Sequence, residues 1–138
     1  MKKLMIVVLL SGMAFAADKK IEKKDLPPAV QKAADEQTKG AEIVGYGTEM
    51  ENGKASYEVE TKVNGHARDL EFDAKGTLLV VEEETTLDSV PAAAKAEIEK
   101  KAAGGKITKV ETVTKGKAVT YEAQVTSKAG KKFEVTAK

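Results

Sequence analysis

The stretch "SYEVETKVNG", Ser56 to Gly65, alternates without a break. Tyr57, Val59, Thr61 and Val63 point one way, and Ser56, Glu58, Glu60 and Lys62 the other. A period of two is the mark of a strand with one buried and one wet face. The pattern returns in "TYEAQVTSKAG", Thr120 to Gly130. From Tyr57 to Tyr121 the offset is 121 − 57 = 64, and it also carries Pro27 onto Pro91, Ala29 onto Ala93, Gly40 onto Gly104, Ile43 onto Ile107 and Glu58 onto Glu122. Beyond the strand the offset becomes 65, pairing Gly65 with Gly130, Asp69 with Glu134 and Leu70 with Val135. One residue has entered a hairpin loop, where insertions are tolerated. The chain is an internal duplication.

Each unit reads helix first. In "DLPPAVQKAADEQTKG", Asp25 is an N-cap candidate, prolines occupy the first turn and Gly40 stands at the stop. Leu26, Val30, Ala33 and Ala34 form a thin apolar stripe. The second helix is expected from about Val90 to Ala103, with Ala94, Ile98 and Ala102 four apart. Strands follow: Glu42–Met50, a turn at Asn52-Gly53, Ser56–Val63, a turn at Asn64-Gly65, a strand through Leu70 and Phe72, the turn "DAKG" and "TLLVVEEE". The second unit runs Lys106–Thr114, Lys117–Thr126 and Lys131–Ala137, with no counterpart of Thr77–Glu84. A unit of about 60 residues buries too little surface to stand comfortably alone. The expected fold is therefore α+β: tandem helix-plus-antiparallel-sheet repeats forming one continuous sheet, both helices on one face.

The chain opens "MKKLMIVVLLSGMAFA", with a basic start, an apolar run and a small-x-small end at Ala14–Ala16. That is the layout of a secretory signal peptide, and the apolar run is shorter than the roughly 20 residues a membrane span needs. The expected layout is a signal peptide over 1–16, a linker over 17–25, a first repeat over 26–84 and a second over 85–138, in a periplasmic or secreted protein. Cysteine is absent, which removes thiol catalysis, disulfides and cysteine-zinc sites. Residues 17–84 carry 10 basic and 16 acidic side chains, and residues 85–138 carry 11 and 6. Such opposed halves allow charge-driven self-association. The lysines are scattered without interleaved aromatics, so no nucleic-acid partner is expected, and no membrane contact once the signal is removed.

The Leu26-Pro27 helix start, Gly40 with Ile43, the Tyr57-Glu58-Val59 strand and the run from Gly65 through Leu70-Glu71-Phe72-Asp73 to Gly76 resemble the PepSY-like domain, related in fold to the beta-lactamase inhibitor protein. Pro91, Gly104, Ile107, Tyr121-Glu122 and Gly130 keep the pattern in the second copy, which lacks the last strand. The resemblance implies two tandem helix-plus-sheet copies in an exported protein and offers no catalytic motif. Some relatives are thought to bind or inhibit peptidases and cell-wall enzymes through the open face of the sheet.

His66 is the single histidine, and it follows a turn. Together with Glu58, Glu60 and Asp69 it is the nearest approach to a metal site, without a ligand spacing. A triad built on His66 with Ser56, Ser89 or Ser127 lacks a nucleophile-elbow context. Glu82-Glu83-Glu84 reads as a solvated linker. No catalytic residue, metal or cofactor is expected. Binding remains, with a protein or peptide of the cell envelope as partner and Glu58, Glu60, Lys62, Glu122 and Gln124 as the open-face residues. A periplasmic small-ligand or metal-ion sensor is the alternative. Five aromatics remain after the signal: Tyr46, Tyr57, Phe72, Tyr121 and Phe133. The repeat aligns Phe133 with Arg68, which argues against a shared face for Phe72 and Phe133, and Tyr46 is free to be exposed.

Overall fold

The computed structural model describes residues 19–138, Glu51 by its backbone alone. The expected signal peptide lies outside the described residues. Eight strands form one antiparallel sheet in chain order: β1 (Lys19–Ile21), β2 (Glu42–Glu51), β3 (Lys54–Val63), β4 (His66–Asp73), β5 (Leu78–Thr85), β6 (Lys106–Lys115), β7 (Ala118–Thr126) and β8 (Lys132–Ala137). Helix α1 (Pro28–Gln37) links β1 to β2, and α2 (Ala92–Ala102) links β5 to β6. Both helices lie on one face.

Local chemistry explains most boundaries. Asn52-Gly53 and Asn64-Gly65 all have positive φ, between 51° and 81°, the pairing of left-handed residues that a two-residue turn between twisted strands requires. Gly76, in the β4–β5 turn, has φ +81°, and a Cβ there would sit 2.5 Å from the Ala29 carbonyl oxygen. Only glycine lets this turn pass beneath the first turn of α1. Asp73 closes the same turn, accepting from the amides of Lys75 and Thr77 at 2.9 Å each. Asp25 does not cap α1. Pro27 holds that position, and the Asp25 carboxylate accepts from the Glu22 amide at 3.0 Å, closing a 3-10 turn over Lys23–Asp25.

The duplication is a repetition of register. Lys19↔Thr48, Lys20↔Gly47 and Ile21↔Tyr46 become, 64 residues on, Glu83↔Thr112, Glu84↔Glu111 and Thr85↔Val110. The bulge between Ile43 and Gly45 returns between Ile107 and Lys109. Segment 17–25, read as linker, thus contributes an edge strand and a 3-10 turn at the places β5 and Leu87–Ser89 occupy later. The run Glu82–Glu84, read both as the end of the strand "TLLVVEEE" and as a solvated linker, is strand: β4 pairs with Glu82 and Glu83 on one side and β6 with all three on the other.

Two apolar clusters sit between helices and sheet. The first joins Leu26, Val30 and Ala34 to Val59, Leu70 and Phe72, and the second joins Val90, Ala94, Ile98 and Ala102 to Val110, Ala123, Val125, Val135 and Ala137. Phe72, Ile98, Val30 and Val59 are fully buried, each such side chain contributing about 1.5–3 kcal/mol over exposure. Tyr57 and Tyr121 pack at matching positions, one against each cluster. Phe133 packs against the second cluster and Phe72 lies within the first, so both rings face the helices, contrary to the expectation from alignment. Arg68 shares that face, so the alignment with Phe133 was sound. What it hid was that Arg68 and Phe72, four apart on one strand, point the same way. Tyr46 is half-buried against the first cluster.

Candidate functional site

Among the described residues no helix covers the opposite face of the sheet. Register places Glu58, Glu60 and Lys62 of β3 and Glu122 and Gln124 of β7 on it. They are not one patch. Three strands separate β3 from β7, a span of about 19 Å at the usual strand spacing. The intervening strands supply what the sequence reading left out: Asp69 and Glu71 from β4, Glu82 and Glu84 from β5, Lys109 and Glu111 from β6.

This face is less wet than alternation suggests. Glu58, Glu82 and Glu111 are 6–7% exposed, and Glu82 lies between Asp69 and Val113 of the adjoining strands. Lys62 is exposed, whereas Glu60, Glu122 and Gln124 are partly covered. Two lysines already have partners on the face: Lys20 pairs with Glu60, and Lys109 with Glu111. The Glu71 Oε2, Glu82 Oε1 and Glu134 Oε1 atoms are out of solvent and have no hydrogen-bond partner among the described residues.

Burial sets the electrostatics. It pushes the Glu82 carboxyl up to about 8; Glu111, Glu122 and Asp69 add to this, and Lys109 opposes it. Asp69 is raised mainly by burial, against the pull of the Thr61 amide that donates to it at 3.2 Å. Glu134 and Glu122 are hydrogen-bonded to each other and both raised, burial being the first cause in each. Each of two close carboxyls makes ionisation of the other harder.

Asp69, Glu71 and Glu82, with Glu58, line a cavity of about 10 Å³ at the seam where β4 meets β5. His66 cannot join them. It shares strand parity with Arg68 and Leu70, on the helix side, whereas Glu58, Glu60 and Asp69 face the other way. Among the described residues no group of three or more histidine, cysteine or carboxylate side chains is placed to hold a metal ion. None of the described helices is long and apolar enough to cross a membrane.

The sequence offers Glu82–Glu84 both as the end of a strand and as a solvated linker, and the linker reading keeps them off the open face. The offset of 64, applied backwards from Glu83–Thr85 to Lys19–Ile21, was the available signal.

No curated protein matches the chain. Solved structures share the fold. A protein of Bacteroides eggerthii described as one of the "putative periplasmic proteins" superposes with a TM-score of 0.66 at 20% identity, over 80% of each chain. A BLIP-like protein of Bacteroides fragilis gives 0.57 at 19% identity, over 78% of this chain and 75% of that one. The model of the family described as "Putative beta-lactamase-inhibitor-like, PepSY-like" matches twice, over residues 15–80 and 55–138. With both copies matched and the sheet continuous across them, this chain belongs to the beta-lactamase-inhibitor-like, PepSY-like family.

Proposed function

We propose that the protein is an exported, non-enzymatic binding module that recognises a protein or peptide of the cell envelope through its open sheet face. The observation that carries this reading is the asymmetry of the sheet. One face is closed by two helices over two apolar clusters, and the other is left uncovered with its polar side chains in register. The inhibitor-like description of the family and the periplasmic description of the Bacteroides eggerthii relative support it.

The test is capture from the envelope fraction of the producing organism with the full chain and with Glu60→Lys/Lys62→Glu. The swap keeps net charge and touches one partly covered and one exposed residue. A protein retained by the wild type and lost by the swap, at unchanged melting temperature, supports recognition by this face. Equal capture by both overturns it.

A further inference from the structure

The seam between the two repeats is unlike the rest of the open face. Across β4 and β5 that face presents Asp69, Glu71, Glu82 and Glu84, and no basic side chain. Of the amines on this face, Lys20 and Lys109 are taken by Glu60 and Glu111, and Lys62 on β3 is exposed. Glu82 is more than nine-tenths buried, lines the seam cavity, and has an Oε1 atom without a hydrogen-bond partner among the described residues. Glu71 lines the same cavity with a second such atom. A buried acceptor left unsatisfied is costly, and a donor reaching it recovers that cost.

The size of the cavity selects the donor. About 10 Å³ admits one water-sized group. An ammonium head fits that description and a planar guanidinium does not. Leu70 and Val80 complete the lining beside the four carboxyl-bearing residues Glu58, Asp69, Glu71 and Glu82, a set that disfavours an anion.

Building on the open-face reading above, we propose that the seam is a lysine subsite: it takes the primary ammonium of a lysine on the envelope partner, between Glu71 and Glu82. Glu82 gives up its proton to solvent as the ammonium arrives, leaving a carboxylate–ammonium pair in the cavity. The groups facing Glu82 all bear on that exchange. Asp69 and Glu71 on β4, Glu84 on its own strand, and Glu111 and Glu122 beyond favour the proton or a cation, and Lys109 on β6 opposes both. The helices lie on the other face.

The probe is a fluorescent alternating lysine–alanine peptide, titrated with the full-length protein from pH 7 to 9, where lysine stays charged. Binding is expected to tighten about tenfold over that range, as a carboxyl titrating near 8 passes from about one-tenth to about nine-tenths ionised. Glu82→Gln and Glu71→Gln should each weaken binding about tenfold, and Glu82→Gln should flatten the pH profile. Glu99→Gln, on the exposed side of α2, should bind as wild type. Equal binding of the Nε-acetylated peptide, a flat wild-type profile, or wild-type behaviour of both seam variants overturns the subsite. Failure of the lysine peptide while the envelope partner is still lost by Glu60→Lys/Lys62→Glu removes the subsite alone. Loss of both results removes the open-face reading with it.

Discussion

The two repeats share a register and differ in what fills them. Counting by the offsets of 64 and 65, Val30, Ala34, Val59, Thr61, Leu70 and Phe72 in the first core become Ala94, Ile98, Ala123, Val125, Val135 and Ala137 in the second. Bulk has moved from sheet to helix: Phe72 gives way to Ala137, while Ala34 gives way to Ile98. The second core draws on half-buried Leu87, Ile107, Tyr121 and Phe133 at its margins. Backbone pairing, turns and bulge are kept through all of this. Pattern and turn chemistry specify the fold, and volume is redistributed inside it.

The largest effect comes from removing the bulk that only the first half has. Phe72→Ala should cost about 3–5 kcal/mol in urea unfolding, through a cavity its rigid neighbours cannot close. Adding Ala34→Ile copies the second half's distribution and should recover about 1 kcal/mol of that loss. No recovery would mean that the two cores are separate solutions. Gly76→Ala breaks a feature belonging to the junction rather than to either half. It should cost about 1–3 kcal/mol, since the left-handed backbone and the Ala29 carbonyl both oppose a methyl group.

Next comes the pH dependence of the seam. Glu82 keeps its proton in the folded protein at pH values where the unfolded chain has released it. The unfolded state then binds fewer protons, so stability falls as pH rises from its ordinary value of 4.5 to about 8. Glu82→Gln should flatten that slope and raise the melting temperature at pH 8 by about 3–5 °C over wild type. A slope unchanged in the variant would place the titrating group elsewhere. The smallest effect is expected from Lys20→Ala. Its ion pair with Glu60 lies at the sheet edge with the lysine two-thirds exposed, so about 0–1 kcal/mol should be lost, and less at high salt.

Much of this was legible in the sequence. Alternation gave the strands flanking Tyr57 and Tyr121 their faces, Asn-Gly pairs marked two hairpins, and spacings of four picked the buried residues of α2. What was not legible has physical causes. Three residues, Lys19–Ile21, are too few to show a period, and they are strand only because β2 offers them an edge. Alternation reports direction and not depth, so Glu58 was assigned to a wet face on which it is only 6% exposed. The open-face residues of β3 and β7 looked continuous because the repeat superimposes them, although the sheet holds them three strands apart.

The strand order has a consequence in time. Every strand pairs with its neighbours in the chain, so no pairing waits on a distant segment. Loop-closure entropy is lowest for such an arrangement, and topologies of this kind fold quickly for their class. A chain delivered N-terminus first can lay down β1 to β4 over α1 before β6 exists. The seam carboxylates then come together only when β5 arrives, which makes the acidic centre of the face the last part of the first half to be assembled.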